Sequence, residues 1–228
     1  MPDSIVKIGK EAFENTPYGS KLSSDNSAYV TINDRILYDI KGEMIHVEIP
    51  DGVVSVCDHA IYKRVESVVI PEGVQYIGFA LIEKPDLRSI ELPDSIASDD
   101  ELCFSGCTSL WEIRLPKNIT AISDYAFYQC SSLKKIVVPE NVISIGKYSF
   151  QECESLTDVE LPDGLERIGE RAFAFCNSLE RIVIPESVTY IDSDAFMDCR
   201  NLKEVVIKGD PVIEKNAFNG CGALENKP

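Results

Sequence analysis

Hydrophobic and polar positions along this chain follow a template that returns about every 23 residues. The best-matched copies run LWEIRLPKNITAISDYAFYQC from Leu110, LKKIVVPENVISIGKYSFQEC from Leu133, LTDVELPDGLERIGERAFAFC from Leu156 and LERIVIPESVTYIDSDAFMDC from Leu179. The prolines of these copies stand 23 residues apart, at Pro116, Pro139, Pro162 and Pro185. A fixed period of this length is the signature of a repeat architecture, in which each unit packs on its neighbours.

Within a unit the apolar positions read L-x-x-I-x-L-P-x-x-V-x-x-I-g-x-x-A-F-x-x-C. The alternating I-x-L run predicts a short β-strand. The proline that follows marks the corner where the strand becomes a turn, because proline cannot donate a hydrogen bond to the next strand. One unit is too small to bury its own apolar residues, so stacked units must complete each other's core and strand hydrogen bonds.

The template extends over nearly the whole chain. Shorter copies surround Pro50, Pro71 and Pro93, and the back half of another copy contains Pro2, Ile5, Ile8, Ala12 and Phe13. The last copy has Lys208 in place of the proline. The copies at Pro50 and Pro71 lack the cysteine and phenylalanine positions and show Ile61, Leu81 and Lys84 instead. The pattern therefore predicts a repeat solenoid of about nine coils of 21–23 residues with parallel β-strands, forming a single domain over residues 1–228.

The recurrent LxxIxLP, VxxIG and AFxxC segments resemble the BspA-like, or Treponema pallidum-type, leucine-rich repeat family. The resemblance spans residues 1 to 225. It implies a right-handed superhelix of leucine-rich repeats, found in bacterial cell-surface or secreted proteins that are often associated with adhesion or host-protein binding. It implies no catalytic residues.

One insertion interrupts the first repeat, at residues 14–43. Within it, AYVTI and RILYDI flank Asn33-Asp34, which predicts a β-hairpin. The candidate packing residues of this hairpin are Tyr29, Ile32, Leu37, Tyr38 and Ile40. An insertion of this kind lies at an edge of a solenoid. It acts either as a lid over the first coil or as an appendage that binds a partner.

The chain carries 38 acidic and 22 basic residues, for a net charge of -16. This balance argues against binding nucleic acid or an anionic membrane surface. No stretch approaches the roughly 18 apolar residues of a membrane span, and the first residues lack the pattern of a signal peptide. We therefore expect no membrane insertion and no nucleic-acid partner.

Eight cysteines raise the question of disulfides or metal binding. Five share one repeat position and a sixth closes the column after a one-residue deletion: Cys107, Cys130, Cys153, Cys176, Cys199 and Cys221. Stacked members would lie about 5 Å apart, which a disulfide permits, but parallel inward side chains are poorly aimed at each other. We interpret them as buried thiols that pack as small hydrophobic groups. Cys103 falls on the alanine position of the repeat, and Cys57 lies off the column, where we expect it to be exposed.

Other candidate chemistry is sparse. The two histidines, His46 and His59, have no companion cluster, and no nucleophile, metal or phosphate-loop motif is present. The acidic runs Asp192-Ser-Asp194 and Asp99-Asp100-Glu101 could hold calcium but do not continue into a calcium loop. The sequence predicts no cofactor, no metal site and no enzyme. An enzyme would need a catalytic group in or beside the hairpin insertion.

Residues next to the prolines form a further column. The residues that follow the eight template prolines are Asp3, Asp51, Glu72, Asp94, Lys117, Glu140, Asp163 and Glu186, and seven of these eight are acidic. Stacked like charges repel, so the ridge costs stability unless cations or the splay of the turns relieve it. The residues serve turn chemistry and solubility, or they attract a cationic partner or divalent ions.

The surface of the predicted strands is the candidate binding face. Residues four before each proline run His46, Ser67, Ser89, Glu112, Lys135, Asp158, Arg181 and Glu204, and from Glu112 onward the signs alternate, which predicts pairing between neighbouring strands. Residues two before each proline run Glu48, Val69, Glu91, Arg114, Val137, Glu160, Val183 and Val206. Trp111, the single tryptophan, begins one strand as an exposed interface anchor or as a residue packed over a neighbour. The candidate partner-binding residues are Trp111, Glu112, Arg114, Lys135, Val137, Asp158, Glu160, Arg181 and Val183.

Two functions fit these features. The first is a non-catalytic interaction module of a bacterial surface or secreted protein, monomeric, that presents its strand face to a protein or glycan. The second is a structural spacer that holds other domains apart and has no ligand of its own. The flanking sequence of the complete gene would discriminate between them, because a spacer needs domains on both sides.

Overall fold

The structure is a computed structural model that describes residues 8, 12–58, 60–61, 64–78, 83–96 and 102–222. The elements in chain order are α1 (Pro17–Ser24), β1 (Tyr29–Ile32), β2 (Ile36–Ile40), β3 (His46–Glu48), β4 (Ser55–Val56), β5 (Ser67–Val69), β6 (Tyr76–Ile77), β7 (Ser89–Glu91), β8 (Glu112–Arg114), β9 (Ala121–Ile122), β10 (Lys135–Val137), β11 (Ser144–Ile145), β12 (Asp158–Glu160), β13 (Arg167–Ile168), β14 (Arg181–Ile184), β15 (Tyr190–Ile191), β16 (Glu204–Ile207) and β17 (Val212–Ile213). The residues named above that lie outside this description are Pro2, Asp3, Ile5, His59, Leu81, Asp99, Asp100 and Glu101.

The chain winds as a parallel β-solenoid, which confirms the predicted fold class. The first strand of each turn comes from the I-x-L run, and these strands pair in parallel with equivalents in neighbouring turns within three sheets, β3-β5-β7-β8, β10-β12 and β14-β16. Lys135 lies opposite Asp158, and Arg181 lies opposite Glu204. The register thus places equivalent template positions side by side, and the repeat columns of the sequence become columns in space.

A second strand in each turn was not predicted. It comes from the V-x-x-I segment and is only two residues long, as in Ser144–Ile145. These strands form the ladders β9-β11-β13-β15-β17 and β1-β2-β4-β6. The described residues contain seven turns with both strands, so the expected count of about nine coils is slightly too high. In the β7 turn, the segment equivalent to V-x-x-I overlaps with residues 97–101, which the structure does not describe.

A third side of each turn lies between the second strand and the cysteine column. Here the backbone N–H groups of Tyr148, Phe150 and Glu152 donate to carbonyls of the next turn at 2.7–2.9 Å. Tyr148 and Glu152 adopt the left-handed conformation, with φ of 56° and 62°. That conformation is unfavourable for residues other than glycine, and the hydrogen bonds between turns offset its cost.

The insertion contains the predicted hairpin. Strands β1 and β2 pair antiparallel, and β2 continues in parallel onto β4, so the hairpin extends the second-strand sheet. Of the expected packing residues, Ile32, Leu37 and Ile40 are buried, while Tyr29 and Tyr38 pack partly buried against the core. The hairpin therefore covers the edge of the solenoid, as a lid would. The limits 14–43 and the single domain over 1–228 stay predictions.

Helix α1 precedes the hairpin and was not predicted. Thr16 caps its N-terminus by accepting a hydrogen bond from the Gly19 N–H at 3.0 Å, and Pro17 occupies its first turn. Both residues are typical of helix starts.

The core contains most inward positions of the template. Cys57 belongs to it with 0% exposure, so the expectation that Cys57 is exposed is wrong. Its N–H donates to the Leu37 carbonyl at 2.9 Å, because β2 lies directly beside it. Lys84, which takes the place of a column cysteine, is 9% exposed, and desolvation by burial lowers the pKa of its ammonium.

Candidate functional site

The first strands of all turns together present one surface, which we call the strand face. The middle residue of nearly every strand points inward, as Ile90, Ile113 and Ile136 do, and the residues on either side point outward. This alternation follows from the period of two in a β-strand. The strand face therefore consists of the residues four and two before each proline, as the template indicated, together with the exposed Trp111 just before β8.

In the C-terminal half of the strand face, charged residues satisfy each other. Lys135 forms ion pairs with Asp158 at 3.2 Å and with Glu160, and Arg181 pairs with Glu204 at 2.9 Å. Hydrogen bonds to Glu160 and Asp158 raise the pKa of Lys135. The predicted pairing of alternating charges is confirmed at these two places. Exposed pairs of this kind contribute little stability, and they leave few charges there for a partner.

Apolar side chains are also part of the strand face. The side chain of Val137 is 49% exposed and that of Trp111 is 46% exposed, while Val183 is half-buried. The Trp111 N–H donates to the Arg88 carbonyl at 2.9 Å, so its backbone belongs to the ladder while its ring faces outward. Of the two alternatives for Trp111, the structure therefore shows the exposed one.

Arg114 is held by the neighbouring turn. Its guanidinium donates to the Leu92 carbonyl at 2.8 Å and to both carboxylate oxygens of Asp94 at 3.0 and 3.1 Å. Asp94 also accepts the Lys117 N–H, and this hydrogen bond is the main cause of its lowered pKa, with the nearby Arg114 and Lys117 charges adding to it. In this part of the acidic ridge, cations of the chain itself relieve the repulsion.

The N-terminal half of the strand face contains a hollow of about 380 Å³. It is lined by residues of β5, β7 and β8, among them Ser67, Val69, Ser89, Glu91, Glu112 and Arg114. The hollow exists because two successive turns have serine in the column where other turns carry longer side chains. Of the predicted binding residues it contains Glu112 and Arg114. The signal in the sequence is the pair of serines, Ser67 and Ser89, in the column four before each proline.

His46, at the edge of the hollow, contacts a serine of the neighbouring strand. His46 Nδ1 lies 2.8 Å from Ser67 Oγ on the next strand. No group of three or more histidine, cysteine or acidic side chains in the described part of the chain is arranged to hold a metal ion. Asp192 and Asp194, a candidate calcium pair, instead bind Arg167 and Arg171 at 2.7 and 3.3 Å.

The column cysteines are part of the core. Each thiol from Cys130 onward donates to a phenylalanine carbonyl of the preceding turn at 3.0–3.2 Å, as Cys153 does to Phe127. Desolvation by burial raises the pKa of the Cys107 thiol to about 12 and that of Cys153 well above its usual value. Because the thiolate is the nucleophilic form, and a raised pKa keeps these groups protonated at neutral pH, the thiols are unreactive.

The register, the paired strands and the stacked columns define a solenoid of leucine-rich repeats. The sequence profile described as "BspA type Leucine rich repeat region (6 copies)" matches residues 1–111 and 100–225. The chain belongs to this family. The family and its solenoid fold are typically non-catalytic, and they serve as interaction or structural modules.

Several solved structures are similar to the chain. A leucine-rich repeat protein from Bacteroides ovatus is 28% identical, with a TM-score of 0.74, over 87% of this chain and 54% of that protein. The Treponema pallidum leucine-rich repeat protein is 30% identical, with a TM-score of 0.65, over 84% of this chain and 83% of that protein. A leucine-rich cell surface protein from Faecalibacterium prausnitzii is 26% identical, with a TM-score of 0.50, over 81% of this chain and 59% of that protein.

The chain thus spans little more than half of the Bacteroides and Faecalibacterium proteins. A comparison with curated proteins gives no match. Among the described residues, no helix has the length and apolar character needed to cross a membrane.

Proposed function

We propose that this chain is a non-catalytic interaction module of a bacterial surface or secreted protein, and that it binds a protein or glycan through the strand face. The observation that carries the proposal is the set of exposed apolar side chains on a rigid ladder, above all Trp111 and Val137. Aromatic anchors of this kind contribute much of the binding energy at interfaces. The name of the Faecalibacterium protein supports the surface location. The module acts as a monomer in this proposal, which light scattering can check.

The test compares two faces of the same molecule. Trp111→Ala and Val137→Asp alter the strand face, while Tyr125→Ala and Val212→Asp alter side chains of similar exposure elsewhere: Trp111 and Tyr125 are both 46% exposed, and Val137 and Val212 are 49% and 59% exposed. Biolayer interferometry against a panel of extracellular proteins and glycans first finds a partner. We expect the strand-face variants to weaken its binding at least about tenfold and the controls by less than about twofold. Equal losses from both sets would contradict the strand face as the site.

A structural spacer is the second candidate. The observation that favours it is that Lys135 with Asp158 and Arg181 with Glu204 form ion pairs within the chain, so these charges need no partner. If no member of the panel binds the wild-type protein, and the complete gene encodes domains on both sides of the solenoid, the spacer becomes the better proposal.

A further inference from the structure

The two halves of the strand face differ in how their carboxylates are satisfied. In the C-terminal half, the ammonium of Lys135 lies between Asp158, directly opposite on the next strand, and Glu160, two residues further along that strand. In the N-terminal half, Glu91 and Glu112 flank the hollow, and neither forms an ion pair within the part of the chain that the structure describes. One half thus holds a cation between two carboxylates of a single strand, whereas in the other half the two carboxylates lie on adjacent strands, Glu91 on β7 and Glu112 on β8.

The hollow has room for a cationic group. Ser89 is on the same strand as Glu91, two residues before it, and directly opposite Glu112 in the register. Diagonal neighbours in a sheet lie about 7–8 Å apart, so an ammonium above Ser89 can reach both carboxylates. The site resembles the surroundings of the Lys135 ammonium in having a carboxylate directly opposite, but its second carboxylate, Glu91, lies on the strand of Ser89 itself, and the small serine leaves space above the strand.

The cation nearest to Glu91 in the register binds other groups. Arg114 lies opposite Glu91, but its guanidinium binds Asp94 and the Leu92 carbonyl. Val69, 57% exposed, forms an apolar wall of the hollow. Such a wall suits the methylene stem of a long basic side chain, which can pack on apolar surface while its charge binds elsewhere.

We propose that the hollow binds a lysine or arginine side chain of a partner protein, with its charged group above Ser89 between Glu91 and Glu112. This inference rests on the proposed binding function and names the chemistry of the partner. The net charge of -16 steers cations toward the protein and supports the same sign of ligand. A sugar fits less well, because the lining side chains of the hollow include no aromatic ring on which a sugar could pack.

The first experiment is an amide NMR titration with Nα-acetyl-lysine amide as the probe. We expect shifts confined to β5, β7 and β8, with a dissociation constant on the order of 1–10 mM, as suits a single charged side chain. Diacetyl-lysine amide, which keeps the stem and loses the charge, should give no saturable shift. If the uncharged probe binds equally well, the proposal is wrong. If glucosamine binds and the lysine probe does not, the hollow is a glycan site instead.

Matched variants separate the site from the overall charge. Glu91→Gln with Glu112→Gln should weaken the lysine probe at least about tenfold. Glu154→Gln with Glu166→Gln changes the net charge equally, at exposed glutamates elsewhere on the solenoid, and should change binding less than about twofold. Equal weakening by the two pairs would overturn the proposal, because the effect would then be long-range electrostatics.

Ser89→Lys is a direct test of the geometry. The introduced side chain should occupy the hollow, pair with Glu91 and Glu112, and abolish binding of the probe. A Ser89→Lys protein that binds the probe like the wild type would contradict the inference. These outcomes are separate from those for the proposed function: partner capture that depends on Trp111 and Val137 but not on Glu91 and Glu112 would preserve the interaction module and reject the basic side chain.

Discussion

The phenylalanine position of the last six template copies contributes one ring each to a continuous stack through the core. The rings of Phe104, Phe127, Phe150, Phe173, Phe196 and Phe218 follow one another with centroids 5.0–5.5 Å apart and planes within 7° of parallel. Aromatic side chains bury a large apolar area and gain further from such offset stacking. The stack therefore links the turns more strongly than the shorter aliphatic columns do.

Phe150→Ala should destabilise the protein by about 3–5 kcal/mol, because it leaves a cavity between two stacked neighbours in a fully buried position. Phe218 is only partly buried and stacks on Phe196 alone among the described residues, so Phe218→Ala should cost clearly less. Urea unfolding followed by circular dichroism measures both. Equal losses would show that the stack does not contribute as described.

At this scale the sequence predicted the column cysteines correctly as core residues but not Cys57. A residue that recurs with the template inherits its direction from the repeat, as Cys130 and Cys153 do. The burial of Cys57 depends instead on β2 lying beside it, and β2 belongs to an insertion with no counterpart in other turns. Its environment could not be predicted from the repeat.

The hairpin protects an edge of the second-strand sheet. Strand β2 and the residue just before it provide the carbonyls of Leu37 and Arg35, which accept the N–H groups of Cys57 and Val54 at 2.9 and 2.7 Å. Without this cover, β4 would be an open edge that could pair with other molecules. The insertion therefore has a structural role that does not depend on binding a partner.

Leu37→Ala should loosen this cover. Leu37 is fully buried, and its truncation should cost about 2–5 kcal/mol. Exposure of the β4 edge should also increase aggregation on heating, measured by light scattering during a thermal ramp. Ile143→Ala is the control, because Ile143 is 49% exposed and should change stability by less than about 0.5 kcal/mol. A Leu37→Ala protein as stable and soluble as this control would contradict the protective role.

Among the elements, the first strands and the hairpin could be predicted, since both have alternating apolar residues next to turn signals. Helix α1 has signals too, in Thr16 and Pro17, but its eight residues carry little amphipathic pattern. The two-residue second strands have no pattern of their own. They exist because stacking aligns the V-x-x-I segments of successive turns, so only the assembled solenoid reveals them.

The whole molecule combines a large negative charge with exposed ion pairs, and these respond to salt in opposite directions. Salt screens the repulsion that follows from a net charge of -16, and it weakens pairs such as Arg181 with Glu204. Because exposed pairs contribute little, the loss of repulsion should dominate.

We therefore expect the thermal midpoint at pH 7 to rise by a few degrees as sodium chloride increases from about 0.02 to about 0.3 M. Near pH 4.5, the sequence pI, the net charge vanishes and the same addition should have little effect. Differential scanning calorimetry at both pH values measures this. A midpoint that falls with salt at pH 7 would show that the ion pairs outweigh the repulsion.

The candidate site could be predicted only in part. The columns of the strand face followed from the template, including Glu112 and Arg114. The difference between the two halves of the strand face could not be predicted, because it depends on which of several neighbouring groups a flexible side chain binds. Arg114 could have neutralised Glu91 but binds Asp94 of the preceding turn instead. Which group Arg114 binds depends on the folded structure and has no counterpart in the repeat pattern of the sequence.

The uniform register between turns has a consequence for how this gene can change. Because contacts between turns join residues 21 to 23 apart, as in His46 with Ser67 and Lys135 with Asp158, unequal recombination between neighbouring repeats would add or remove whole turns in frame. Every new junction would reproduce an existing one. Copies gained or lost after β8 would alter the length of the protein and leave the hollow at a constant distance from the hairpin.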